Sequence, residues 1–156
     1  MAAATAWNLR VTHQTQPAAL VLIHPLVTLA PTGDSMASEA DAKPLPLTAL
    51  SWLLAHAVPP SATGDPRLDL LSLPPESLAG LPATLIITAD RDPLRDQGEA
   101  FGHHLASAGV PVTTTRYNGV MHGFLAAARR LIRRSGRLGK RQPSAACVYR
   151  ASGLEI

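Results

Sequence analysis

Two side chains with complementary chemistry stand thirty residues apart in the sequence (122 − 92), the carboxylate of Asp92 and the imidazole of His122. Each follows a strand-like run, 83–89 for Asp92 and 110–117 for His122. Because the carboxyl ends of neighbouring parallel strands lie at the same edge of a sheet, the two side chains are expected to meet there. A carboxylate that orients a histidine makes that imidazole a general base for a nucleophile. The pair is therefore predicted to be a catalytic acid and base.

Asp92 has a second interpretation, because Pro93 follows it. An aspartate at a strand-to-helix corner with proline next in the chain is also a good helix N-cap. This motif alone supports capping and catalysis equally. His122 favours catalysis, since the glycines at 119 and 123 leave room for close approach. Asp90, in the same loop, is the alternative acid.

The elements that must position the pair alternate between strands and helices. Three apolar or β-branched runs predict strands, the first of them buried on both faces, and they span residues 18–25, 83–89 and 110–117. Four segments with helical spacing predict helices, over residues 1–9, 46–58, 94–108 and 123–134. Gly109 stands where the third helix should end. The order predicts an α/β fold of about three parallel strands with flanking helices.

Two motifs carry a resemblance to a known family. Residues 90–98 resemble the Glu-Tyr-Asp-Pro-Leu-Arg-Asp-Glu-Gly segment of the hormone-sensitive-lipase-like esterases, the α/β-hydrolase fold-3 family. Residues 117–124 resemble its Tyr-Pro-Gly-Met-x-His-Gly-Phe box, and residues 22–25 are similar to its Leu-Ile-Tyr-Pro strand end. The resemblance covers residues 1–125. It implies a carboxylic-ester hydrolase that acts through a serine acyl-enzyme, with Asp92 as the acid and His122 as the base.

Two other motifs of that family have no counterpart in the 156 residues. These are the His-Gly-Gly-Gly box, which supplies oxyanion donors, and the Gly-Asp-Ser-Ala-Gly-Gly elbow, which presents the nucleophile. Residues 1–10 resemble the helix that follows the elbow. The resemblance thus implies a partial α/β-hydrolase fold, a truncated C-terminal half without the N-terminal half of the sheet. The isolated chain is expected to be inactive.

Ser35 is the one candidate nucleophile within the sequence, because residues 33–37, Gly-Asp-Ser-Met-Ala, imitate the elbow. An elbow requires a strand that feeds a sharp turn directly into a helix. Here Pro31 precedes the serine and Pro44 stops any long helix after it. The favoured interpretation is that Asp34 and Ser35 hydrogen-bond their own turn.

The net charge of +3 conceals a division of the chain. Residues 1–122 hold six basic and ten acidic side chains, whereas residues 123–156 hold eight basic and one acidic. Residues 1–125 are predicted to be the hydrolase part, with a cap-like or irregular insertion over 26–60. Residues 126–156 are predicted to be a basic helix and a disordered tail. The arginine-rich stretch 129–141 lacks interleaved aromatic residues, which argues against nucleic-acid binding.

The remaining expectations concern cofactors and partners. A single cysteine, Cys147, and the absence of metal-ligand spacing predict neither disulfide, metal nor cofactor. The longest apolar run, 18–23, is far shorter than the roughly 20 residues of a membrane span, so a cytoplasmic protein is expected. Expected partners are a small-molecule carboxylic ester and either a complementing N-terminal half or a second copy. The alternative is a catalytically silent remnant that serves as a protein-interaction module through an unpaired strand edge.

Overall fold

The computed structural model describes residues 1–62 and 64–127. The chain divides into two compact units, Met1–Phe124 and Leu125–Ile156. The predicted boundary after residue 125 and the predicted insertion over 26–60 stay predictions. Cys147 and most of the predicted basic helix and tail lie outside the described residues.

A three-stranded parallel sheet forms the centre of the first unit, in the order β1-β2-β3. Its strands are β1 (Leu20–Ile23), β2 (Thr84–Arg91) and β3 (Val112–Met121). Thr84 pairs with Leu20 on one side and with Val112 on the other. The predicted strands and their parallel pairing are confirmed. β3 runs four residues beyond the predicted end at Tyr117, past a register irregularity between Ala89 and Arg91 of β2.

Four helices accompany the sheet within the described residues, and they are α1 (Ala2–Val11), α2 (Ser35–Ser38), α3 (Leu47–Ala57) and α4 (Arg95–Ser107). The short α2 lies in a region predicted to be irregular. Gly109, with φ +76°, follows α4 as predicted. Of the predicted helix over 123–134, residues 124–127 are helical and the rest lies outside the described part. Among the described helices, none has the length and hydropathy needed to cross a membrane.

Helix α4 packs unusually close to the sheet, because two of its glycines face the strands. A Cβ on Gly98 would lie 3.1 Å from Thr88 Cγ2, and a Cβ on Gly102 would lie 2.5 Å from Thr114 Oγ1. Phe101 of the same helix is fully buried in the main apolar core. Close packing of this kind leaves little room for adjustment. It fixes the start of α4, and with it the loop that joins β2 to α4.

The prediction that the first strand is buried on both faces is wrong. In β1, Leu20 and Leu22 are buried, but Val21 is 42% and Ile23 46% exposed. The alternation arises because α1 packs on the face that carries Leu20 and Leu22, whereas the described residues leave the face that carries Val21 and Ile23 partly open to solvent. Trp52 of α3 is 60% exposed, because Leu50 is the residue by which α3 enters the apolar cluster.

Candidate active site

The loop after β2 holds Asp92 at the carboxyl edge of the sheet with both carboxylate oxygens engaged. The side chain is almost fully buried. Its Oδ1 accepts a hydrogen bond from the Leu94 N–H at 2.9 Å and so closes the turn that leads into α4. Its Oδ2 lies 2.7 Å from Nδ1 of His122. The N-cap residue of α4 is Leu94, so the capping interpretation of Asp92 is wrong. One oxygen of Asp92 closes the turn before the helix, and the other faces His122.

The turn after β3 brings His122 to this carboxylate. Its backbone N–H donates to the carbonyl oxygen of Arg91 at 3.4 Å, which extends the β2–β3 contact by one residue. Gly119 and Gly123 on either side have φ +71° and +74°, a region that glycine enters at low cost. The His122 side chain is 26% exposed, and its Nε2 makes no hydrogen bond within the described residues. One ring nitrogen is thus held while the other faces outward.

The ionisation of Asp92 decides which nitrogen of His122 carries the proton. Burial by itself raises the pKa of Asp92, but contacts with the imidazoles of His122 and His24 and with the Leu94 N–H outweigh burial and lower the pKa from 3.8 to about 2. A carboxylate that is ionised at neutral pH only accepts hydrogen bonds. The proton between the two groups therefore lies on Nδ1 of His122. In the neutral imidazole this arrangement leaves Nε2 as an acceptor, the tautomer that a general base requires.

Asp90, the alternative acid, has a different partner. Its Oδ2 accepts from the Gly119 N–H at 3.3 Å, and its backbone carbonyl accepts from Arg95 at 3.0 Å. Asp90 thereby ties the loop after β2 to the loop after β3. The structure brings Asp92, and not Asp90, to His122.

Ser35 is fully buried and its hydroxyl is engaged on both sides. The hydroxyl donates to the carbonyl oxygen of Pro93 at 2.8 Å and accepts from the Asp96 N–H at 3.1 Å. These bonds differ from the local turn bonds that the sequence predicted, and Asp34 makes no side-chain capping bond to α2. No hydrogen bond joins Ser35 to His122 among the described residues. Ser35 instead supports the loop that carries Asp92.

Gly33, two residues before Ser35, also packs against the start of α4. A Cβ on Gly33 would lie 2.2 Å from Cβ of Asp96, and its φ of +81° is in the left-handed region. The backbone N–H of Ser35 donates to Oδ2 of Asp96 at 2.7 Å. The Gly-x-Ser spacing that imitates a nucleophile elbow is therefore explained by the docking of this segment onto the start of α4.

His24 is the site residue that the sequence analysis missed. It follows β1, is buried, and places Nδ1 3.1 Å from Oδ2 of Asp92. Its ring lies 4.7 Å from the His122 ring and 5.5 Å from the Phe124 ring. The contact with Asp92 is short but poorly aligned, since neither His24 nitrogen makes a well-directed hydrogen bond to a described residue. The rule that brought Asp92 and His122 together, the shared carboxyl edge of adjacent strands, applies equally to His24.

Comparisons with known proteins identify the family and the fold of the chain. A family model described as alpha/beta hydrolase fold matches residues 1–126. Among curated proteins, an arylesterase of Saccharolobus solfataricus is 48% identical over 54 residues, which are 35% of this chain and 18% of the arylesterase.

Solved esterase structures superpose on most of the chain. A thermostable esterase from Pseudomonas putida ECU1011 has a TM-score of 0.75 at 28% identity, over 86% of this chain and 45% of the esterase. An esterase of Pyrobaculum calidifontis has a TM-score of 0.72 at 33% identity, over 81% of this chain and 41% of that one. The chain thus spans less than half the length of these esterases, and its three strands form part of an α/β-hydrolase fold. It belongs to the α/β-hydrolase fold-3 family, the hormone-sensitive-lipase-like esterases.

Proposed function

We propose that Asp92 and His122 are the orienting acid and the general base of a serine carboxylesterase. The observation that carries the proposal is the 2.7 Å contact between Oδ2 of a buried aspartate and Nδ1 of His122. The low pKa of Asp92 keeps the carboxylate ionised at neutral pH, and the outward Nε2 of His122 is free to accept a proton. These are the two properties that a hydrolytic acid–base pair needs.

The proposed reaction is hydrolysis of a small-molecule carboxylic ester. His122 Nε2 removes the proton of a serine hydroxyl as the serine oxygen bonds to the ester carbonyl carbon. The imidazolium then gives that proton to the departing alcohol, which leaves an acyl-enzyme. Water attacks the acyl group with His122 again as base, and the acid product and free serine are released. Asp92 stays ionised throughout and stabilises the imidazolium.

The serine and the oxyanion donors are proposed to come from polypeptide other than these 156 residues. Neither an elbow nor a His-Gly-Gly-Gly box is found in the sequence, and the Ser35 hydroxyl is buried against Pro93 and Asp96. A complementing N-terminal half, in the same polypeptide or in a separate one, would supply both. The esterases that superpose on this chain are about twice its length, which supports this source.

A chimera tests the proposal directly. Residues 1–124 replace the matching segment of the Pyrobaculum calidifontis esterase, to which the chain is 33% identical. Hydrolysis of p-nitrophenyl butyrate and labelling by a fluorophosphonate are then measured. We expect an active, labelled chimera whose turnover falls about 10⁴-fold on His122→Ala or Asp92→Asn.

The matched control is His103→Ala, an exposed histidine on α4 that should leave turnover unchanged. A folded chimera with an unlabelled serine would contradict the proposal, and so would full activity of the His122→Ala chimera. Labelling of the isolated chain at Ser35 would contradict the assignment of the nucleophile to another segment.

A further inference from the structure

Three potential metal ligands converge at the carboxyl edge of the sheet. His24, Asp92 and His122 follow β1, β2 and β3, and one ligand atom of each lies within 4.8 Å of the other two. We propose that this cluster binds a divalent transition-metal ion, Zn²⁺ being the representative case. The ligands are Nδ1 of His24, Oδ2 of Asp92 and Nδ1 of His122.

The donor set selects the class of ion. Two imidazole nitrogens and one carboxylate oxygen suit zinc and its neighbours in the first transition row, and three protein ligands leave a further position for water. Calcium and magnesium prefer sites built from oxygen atoms, so this cluster discriminates against them. The ionised Asp92 supplies the negative charge that partly neutralises the ion.

Two of the three separations between the ligand atoms are close to those of a zinc site. A tetrahedral zinc ion with bonds of about 2.0–2.1 Å separates its ligand atoms by about 3.3 Å. Oδ2 of Asp92 lies 3.1 Å from Nδ1 of His24 and 2.7 Å from Nδ1 of His122. Outward shifts of a few tenths of an ångström bring both Asp92 separations to this distance. The nitrogens of His24 and His122, which lie within 4.8 Å of each other, must approach by up to about 1.5 Å, which rotation of the partly exposed His122 side chain can supply.

The state of His24 is independent evidence for a ligand. The side chain is 5% exposed, and neither of its nitrogens has a well-directed hydrogen-bond partner among the described residues. A buried polar group without a partner is costly, and such groups in a folded protein call for an explanation. Coordination of an ion by Nδ1 satisfies the nitrogen that faces Asp92. The hydrogen bond from Leu94 to Oδ1 already fixes the carboxylate, as outer partners do in metal sites.

Metal binding and base catalysis exclude each other at this site. An ion on Nδ1 of His122 displaces the proton that this nitrogen shares with Asp92, and the neutral imidazole then carries its proton on Nε2. That nitrogen no longer accepts a proton from a nucleophile. The proposal does not rest on the esterase function, because binding is measured without any substrate.

Zinc titration of the purified full chain by calorimetry tests the proposal, with Co²⁺ absorption as a second measurement of the coordination shell. We expect one ion per chain. Loss of an outer partner weakens a metal site 10- to 100-fold, so loss of a ligand should weaken binding at least about 100-fold. His24→Gln, Asp92→Asn and His122→Gln should each do so, and the control His103→Gln should not.

His122→Gln is the decisive variant, because this residue sits at a partly exposed loop and its replacement should preserve the fold even where His24→Gln does not. Unchanged affinity in His122→Gln would overturn the proposal, since the ion would then be held elsewhere. Failure of the wild-type chain to bind one zinc ion would overturn it as well. A cobalt–thiolate charge-transfer band would have the same consequence, because it would identify Cys147 as a ligand.

Discussion

Replacement of Ser35 by alanine separates a structural role from a catalytic one. The hydroxyl donates to the carbonyl of Pro93 and accepts from the N–H of Asp96, and the residue is fully buried. Alanine removes one oxygen and leaves both partners unpaired. Pro93 directly follows the proposed acid, so the damage falls on the loop that carries Asp92.

The expected loss of stability depends on how deeply the two hydrogen-bond partners of Ser35 are buried. A buried polar group left without a hydrogen bond costs about 1–3 kcal/mol. The Pro93 carbonyl is buried and bears a cost in this range, whereas the bond to the Asp96 N–H is only part-buried, so water can replace some of it. We therefore expect Ser35→Ala to lower the free energy of unfolding by about 2 kcal/mol.

Urea-induced unfolding, followed by circular dichroism, measures this change. Ser38→Ala is the matched control, because Ser38 lies in the same short helix with an exposed side chain, and it should alter stability by less than about 0.5 kcal/mol. Equal effects of the two substitutions would refute the reasoning. A fluorophosphonate supplies a second measurement: the folded chain should stay unlabelled at Ser35, since its oxygen is buried.

Two further substitutions probe the same loop. Asp92→Asn should lower stability by about 2 kcal/mol at pH 7, because the pKa of Asp92 falls from 3.8 to about 2 on folding. The ionised form stabilises the protein above about pH 4, and this stabilisation is lost as the pH falls toward 2. The urea midpoints of wild type and variant should therefore converge between pH 4 and pH 2. A difference that stays constant over this range would contradict the lowered pKa of Asp92. Gly33→Ala combines a left-handed φ with a Cβ 2.2 Å from Asp96, whereas Gly109→Ala has a similar φ of +76° and no atom within 4 Å of the new Cβ. Gly109→Ala should lower the free energy of unfolding by about 1–2 kcal/mol, and Gly33→Ala should lower it by at least about 1 kcal/mol more. Equal losses would contradict this expectation, because they would show that Asp96 can move away from the new Cβ at little cost.

The sequence was sufficient for the elements that local pattern determines. The apolar run before Asp92 and the β-branched run before His122 mark β2 and β3, and the helix between them begins and ends within one residue of its predicted bounds. The meeting of the two side chains followed from parallel pairing alone. Their catalytic roles stay predictions.

What the sequence could not provide are contacts between distant segments. Ser35 bonds to residues 58 and 61 positions along the chain, and His24 contacts Asp92 across 68 positions (92 − 24). Neither the hydrophobic periodicity nor the spacing of motifs predicts such contacts, because they depend on how a loop folds back onto the sheet. The exposure of Val21 was missed for a related reason: a short apolar run has the same appearance in a central strand and in an edge strand.

The two oxygens of Asp92 make different contacts, and this difference affects how related sequences should be interpreted. One oxygen closes the turn before α4 and the other faces His122, so under the proposed function selection for a folded domain and selection for activity both act on the same residue. A relative that has lost catalysis is expected to retain the aspartate for its turn. His122 is about one quarter exposed and has a single side-chain hydrogen bond among the described residues, so few contacts of the fold depend on it. Loss of the histidine, and not of the aspartate, should therefore mark the members of the family that have ceased to be enzymes.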